Sequence, residues 1–124
     1  MKKYDQEKVR MGLLPFDSLK EVARVLTFGS KKYTDYGWKQ VENGYQRYED
    51  ALLRHLTDHK NGEIYDDESK LYHLSHLACC SLMMLWHFMN PEITEEEMEN
   101  AKIVSLHDVI TEEKITEFCE RYTI

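Results

Sequence analysis

Between Tyr48 and His76 the chain reads YEDALLRHLTDHKNGEIYDDESKLYHLSH, a run that sets carboxylates, four histidines and an arginine around one glycine-containing break. On either side of the break apolar residues recur at helical spacing. The break is therefore a joint between two amphipathic helices, each with one face to bury. A short joint makes neighbouring helices antiparallel, which brings His55 of the first opposite His73 and His76 of the second. Few other arrangements bury both stripes and keep this many ionisable groups together at one end.

The same periodicity places the other elements. Pro15 suits the first turn of a helix from Phe16 to Phe28, with Leu19, Val22, Ala23, Val25 and Leu26 on its apolar face. Gly29 is expected to stop it, leaving FGSKKYTDYGW as a loop. A second helix is expected from Tyr45 to His59, ended by Asn61-Gly62, with Tyr48, Ala51, Leu52 and Leu56 turned inward. The longest is expected from Glu68 to Met89, ended by Asn90-Pro91, because proline disfavours helix at the residue before it. Leu82 to Trp86 reads as core or subunit interface, with methionine filling irregular gaps. Thr94 and Glu97 have capping-box spacing, residues 103–106 could be extended, and Thr111 starts a last amphipathic segment. The domain reading is one helical unit: an arm over 1–12, a core over 13–90 and an acidic appendage over 91–124.

At 124 residues there is room for one core. The net charge of −7 argues against a nucleic-acid polymer as partner, which would need a basic face. Cys79, Cys80 and Cys119 make an odd count without framework spacing, so buried thiols in a reducing compartment are expected. No apolar signal segment opens the sequence, and Leu71–Met89 is interrupted by Ser75, His76, Ser81 and His87, a poor membrane span. The expected location is cytoplasmic, in a bacterial host or a virus-infected cell.

Four constellations carry chemistry. Glu63, Asp66, Asp67 and Glu68 are four carboxylates in six residues, which repel one another unless solvated or bridged by a cation. Mg²⁺ takes a few carboxylates plus water and phosphate oxygens; the bland reading, an acidic helix start, fits Asp67 and Glu68 at least as well. His73 and His76, three apart, share a helical face and confront His55, although a single histidine there would more often be a hydrogen-bonded core residue. Zinc is not expected, since neither H-E-x-x-H nor paired-cysteine spacing occurs. Arg54 offers a planar fork for phosphate, or an ordinary helical pair with Asp50. Gly29-Ser-Lys-Lys-Tyr33 with Trp38 could hold phosphates by lysine while a ring stacks on a base, though the Walker spacing is missing. Together these point to a metal-dependent nucleotide site.

VARVLTFGSKKYTDYGW followed by ALLRHLTDHKNGEIYDDESKLYHLSHLACC resembles the phage and prophage dATP/dGTP diphosphohydrolase N-terminal family, related to MazG-like all-α nucleoside triphosphate pyrophosphohydrolases. The family pattern runs F-G-A-K-K-Y, N-W, A-L-L-R-H-L, G-E-x-x-D-P-E-S-G and H-L-x-H. Here it corresponds to Phe28–Tyr33, Trp38, Ala51–Leu56, Gly62–Ser69 and His73–His76. The resemblance implies an all-α, MazG-like helical bundle assembled as a dimer or higher homo-oligomer. It also implies Mg²⁺- or Mn²⁺-dependent cleavage of a purine dNTP to the monophosphate and pyrophosphate.

Carried over by position, Glu63 and Asp66 are the leading metal ligands, with Asp50 and His73 as candidates. Glu63, Asp66 and His55 form the expected catalytic set. Lys31, Lys32 and Arg54 are expected on phosphates, Tyr33 or Trp38 beside the base, and His76 at the substrate. Three departures stand out: Asp67 replaces the family's proline, Lys70 its second glycine, and Gly37 rather than asparagine precedes Trp38. The E-x-x-E half of the MazG acidic signature is also poorly matched by Gln46-x-x-Glu49. A scaffold with altered ligands could instead sequester a nucleotide signal in viral counter-defence without cleaving it, and an acidic helical partner protein with no ligand is a third reading.

Overall fold

The computed structural model describes residues 1–92, 96, 99 and 100. Among them the chain is helical, with no strand and one isolated antiparallel bridge, Tyr65 to Tyr72. Three α-helices carry the architecture: α1 (Phe16–Lys32), α2 (Gly44–Lys60) and α3 (His73–Met89). Short 3₁₀ turns at Met11–Leu13 and Gly37–Gln40 precede α1 and α2. The expected capping box at Thr94 and Glu97, the extended segment at 103–106 and the last amphipathic segment lie outside the described residues.

Pro15 sits just ahead of α1, where its carbonyl accepts the Leu19 N–H at 2.9 Å. Gly29 does not stop that helix. A lone glycine costs a helix only about 1 kcal/mol, and here the turn continues to Lys32, closed by Tyr33 N–H on the Gly29 carbonyl at 2.9 Å. Lys31 and Lys32 are thus last-turn residues of α1, at the negative end of its dipole.

α2 and α3 pack antiparallel along their length. Near one end His55 and His73 meet, and near the other Gly44, at the start of α2, lies against the His87 ring. A Cβ on Gly44 would collide with that ring, so this approach needs glycine. His87 is buried, holds the Trp38 carbonyl through Nε2 at 2.9 Å and stacks on Tyr48 with ring centroids 5.8 Å apart. α1 lies on α3 and completes a small core of Val22, Cys79 and Met83, flanked by Val25, Leu26, Trp38, Tyr48 and Ala78. Cys79 and Cys80 are free, buried thiols, and burial pushes them up to about 12 and about 11. Both are inert at neutral pH. Of the run Leu82–Trp86, Met83 is buried core whereas Leu82 and Leu85 face solvent.

The start of α3 departs from expectation. The helix begins at His73, not Glu68. The Asp66 carboxylate accepts from the Ser69 backbone N–H at 2.8 Å and its hydroxyl at 2.9 Å. Lys70 N–H then closes on the Asp66 carbonyl at 2.8 Å, with Lys70 left-handed at φ 63°. A left-handed residue cannot continue an α-helix, so Asp67 and Glu68 belong to a turn and not to a helix start. Lys70 stands where the family pattern has glycine, and a side chain in that conformation costs about 1–2 kcal/mol. Lys70→Gly is expected to raise stability by about 0.5–1 kcal/mol, read as an upward shift of the urea midpoint; an unchanged or lower midpoint would contradict this account of the turn.

Candidate functional site

Three imidazoles meet where α2 ends and α3 begins. His55 and His76 stack with ring centroids 4.5 Å apart at 11°, and His55 Nδ1 lies 2.8 Å from His73 Nδ1. The spacing follows from the helices: His73 and His76 are three apart on α3 and so share a face, and the antiparallel register of α2 lays His55 across both. His73 is 2% exposed.

The turn before α3 supplies the carboxylates. Asp66 is fixed by its two bonds from Ser69, whose hydroxyl also lies 2.7 Å from His76 Nε2. The hydroxyl has one hydrogen, and the charged Asp66 oxygen takes it. His76 must then donate its own Nε2–H to the Ser69 oxygen. Partial burial works against charge on Asp66. The two Ser69 bonds and the nearby His76 and His55 outweigh it and hold the carboxyl below its ordinary value. On the other side of His73, Glu63 Oε2 lies 3.6 Å from Nε2. The loop is held by His73 N–H on the Ile64 carbonyl at 3.0 Å and by Tyr65 stacked on Tyr72 at 5.1 Å.

Two donor groups result, each with ligand atoms within 4.8 Å of one another: His55, Asp66 and His73, and Asp58, Glu63 and His73. The His73 Nε2 atom is buried without a hydrogen-bond partner. A buried polar atom left in that state costs about 1–3 kcal/mol, and a cation among these donors would relieve it. This donor set therefore fits a divalent metal. His59 Nδ1, one turn along α2 from His55, is a second buried ring nitrogen without a partner.

Beside this cluster lies a cavity of about 590 Å³. Val25, Leu26 and Met83 line its apolar part, Tyr33 and Trp38 bring aromatic rings, and Arg47 and Arg54 are the cations on its wall. No residue of the two donor groups lines it; it shares α2 and α3 with them, Arg54 preceding His55 and Cys79 following His76 by three residues. Trp38 is also partly structural, packed edge-on against Trp86 at 5.1 Å.

The other expected site residues are placed as follows. Lys32 pairs with Glu68 across the gap between α1 and the α3 turn, a bond that raises its pKa. Lys31 is exposed in the last turn of α1 and does not line the cavity. Asp50 lies outside both donor groups, and its carboxylate accepts from Gln46 at 3.3 Å, with no ion pair to Arg54. Sequence reasoning gave no site role to Asp58, Ser69 or Arg47. Asp58 had a readable signal, since it follows His55 by three residues and so shares its face. Ser69 and Arg47 act only through the turn and the cavity, which spacing does not display.

The profile of the family described as dATP/dGTP diphosphohydrolase, N-terminal, matches residues 1–97. A protein of Salmonella phage PMBT28 named dATP/dGTP diphosphohydrolase is 28% identical over 106 residues. The match takes in 86% of this chain and 36% of that relative, so the chain spans little more than a third of the longer protein. No solved structure matches.

Burial lowers the His55 pKa, the neighbouring His76 adds to this, and Asp66 opposes it; burial lowers His76 likewise, again against Asp66. Histidines held below their ordinary 6.5 in the fold take up protons on unfolding. Stability is then full above that pH and falls as pH drops beneath it. Asp66, also shifted down, acts in the same sense, but only as pH falls beneath its ordinary 3.8. In metal-free buffer the urea midpoint is expected to be flat above about pH 7.5 and to fall by about pH 5.5. His76→Gln should make that fall smaller; a midpoint that rises on acidification would refute the assignment.

Proposed function

The chain belongs to the dATP/dGTP diphosphohydrolase N-terminal family, and on that premise we propose that it binds a purine deoxynucleoside triphosphate and cleaves it to the monophosphate and pyrophosphate. One observation carries the reading: an aromatic- and arginine-walled cavity adjoins a carboxylate–imidazole cluster containing a buried, unpartnered ring nitrogen. The named phage relative supports the reaction class.

In this reading the base lies between the apolar wall and Tyr33 or Trp38, where ring faces gain by stacking. Arg54, with Arg47 behind it, takes the phosphates through its planar fork. Lys32 adds positive charge once Glu68 releases it, and Lys31 contributes at longer range. His73 with Glu63 and Asp58 would hold a Mg²⁺ or Mn²⁺ ion, with Asp66 and His55 on the other side of the same ring. When bound, such an ion neutralises phosphate oxygens and lowers the pKa of water. His55, whose charged form burial disfavours, would accept the His73 hydrogen and orient that ring toward the ion and the reacting phosphate. His76 positions Asp66 through Ser69.

The same reading includes a MazG-like homo-oligomer. Leu13, Phe16, Leu53, Leu82, Leu85 and Met89 all present apolar surface to solvent, which a second copy of the chain could cover. No described helix is long and apolar enough to cross a membrane, which agrees with a pool of dissolved nucleotides as the substrate.

The test is pyrophosphate release from each dNTP with Mg²⁺ and with Mn²⁺. Turnover is expected for dATP or dGTP. Glu63→Ala is expected to lower kcat by about 100-fold or more with nucleotide still bound. Arg54→Ala should raise KM by about tenfold with a smaller loss of kcat. Tight binding of a nucleotide without turnover of any would replace cleavage with sequestration.

A further inference from the structure

The two donor groups share one side chain, and that sharing has a chemical consequence. His73 turns its ring nitrogens in opposite directions: Nδ1 toward His55 at 2.8 Å, and Nε2 toward Glu63 at 3.6 Å. A neutral imidazole has one N–H and one lone pair, so it can ligate a cation through one nitrogen at a time. Ligation through both at once would require the ring to give up that N–H as a proton and bridge two cations as an imidazolate, with two positive charges held one ring-width apart.

We propose that His73 is the common ligand of two mutually exclusive cation sites. One is oxygen-rich, with Asp58 and Glu63, and suits Mn²⁺ or Mg²⁺; the other is nitrogen-rich, with His55 and Asp66, and suits Zn²⁺. This rests on the preceding reading only in taking the cluster as cation-binding.

Each state gives both ring nitrogens of His73 a partner. With an ion on Nε2, the Nδ1–H donates to His55 Nδ1, and the 2.8 Å separation already has the length of that bond. The ion then also relieves the repulsion between Asp58 and Glu63. With an ion on Nδ1, the Nε2–H points at the Glu63 carboxylate. That is the usual arrangement of a metal-bound imidazole whose other nitrogen is held by a carboxylate. Glu63 is thus a ligand in one state and the support of a ligand in the other.

The donor sets separate the metals. Two carboxylates and one imidazole, with room for water, match a hard ion that keeps several waters. Two imidazoles and one carboxylate match the ligands of zinc, which the spacing of the motifs did not suggest. Zinc should therefore act as an antagonist that draws His73 away from the oxygen-rich site.

The test is Mn²⁺ binding to the whole chain by electron paramagnetic resonance, without nucleotide, followed by titration with Zn²⁺. One equivalent of Zn²⁺ is expected to release the bound Mn²⁺. Glu63→Gln should weaken Mn²⁺ by about tenfold or more and Zn²⁺ far less. His55→Asn, whose amide oxygen can still accept from His73, should do the reverse. Crystals grown with each ion should show anomalous peaks on opposite sides of the His73 ring. Simultaneous binding of both ions, one shared peak position, equal losses for both metals in both variants, or no binding of either ion would each overturn the proposal. Because nucleotide is absent throughout, failure of triphosphate cleavage and failure of this proposal are read separately.

Discussion

The antiparallel contact between α2 and α3 is the constraint from which the rest of the site follows. Its closeness is set at one end by Gly44, which lets the His87 ring lie on the α2 backbone. At the other end the same contact presses His55 onto His73 and His76. Widening it would separate the imidazoles, unstack Tyr48 from His87 and open the wall of the cavity together. Fold and site therefore draw on the same packing energy.

Polar groups are costly in such a contact, and the arrangement around α3 deals with them unevenly. His87 is satisfied by the Trp38 carbonyl and is a core residue in effect. His76 is satisfied by Ser69, which in turn fixes Asp66. His73 alone among these three is buried with a nitrogen left over. Beside that nitrogen stands the Glu63 carboxylate, 3.6 Å away and with no hydrogen to offer it. This asymmetry is what marks His73 as the candidate ligand among them, since all three lie on one helix and look alike as letters in a sequence.

Much of this was legible beforehand, for physical reasons that differ by element. The three helices follow from apolar periodicity, and Asn61-Gly62 and Asn90-Pro91 ended two of them as expected. The histidine triad follows from three-residue spacing and an antiparallel neighbour. The misplaced boundaries share one cause, a local preference overridden by neighbouring bonds. Gly29 stayed helical because the turn around it closed. The stretch from Asp67 to Tyr72 did not become helix because Ser69 and Lys70 fold back onto Asp66. Asp50 and Asp58 both lie on the polar side of α2, and composition cannot say which one the loop carrying Glu63 will approach.

The sequence by itself determined an all-helical scaffold, the face each helix buries and the concentration of ionisable groups at one joint, because these depend on residue type at fixed periodicity. The tertiary structure alone decided that Glu63 and Asp66 lie on opposite sides of one imidazole, that Asp58 joins the first and His55 the second, and that Arg54 borders an aromatic cavity. Those are distances between residues far apart in the chain. They arise only when a left-handed Lys70 turns the loop back and the close approach at Gly44 sets the register between two helices.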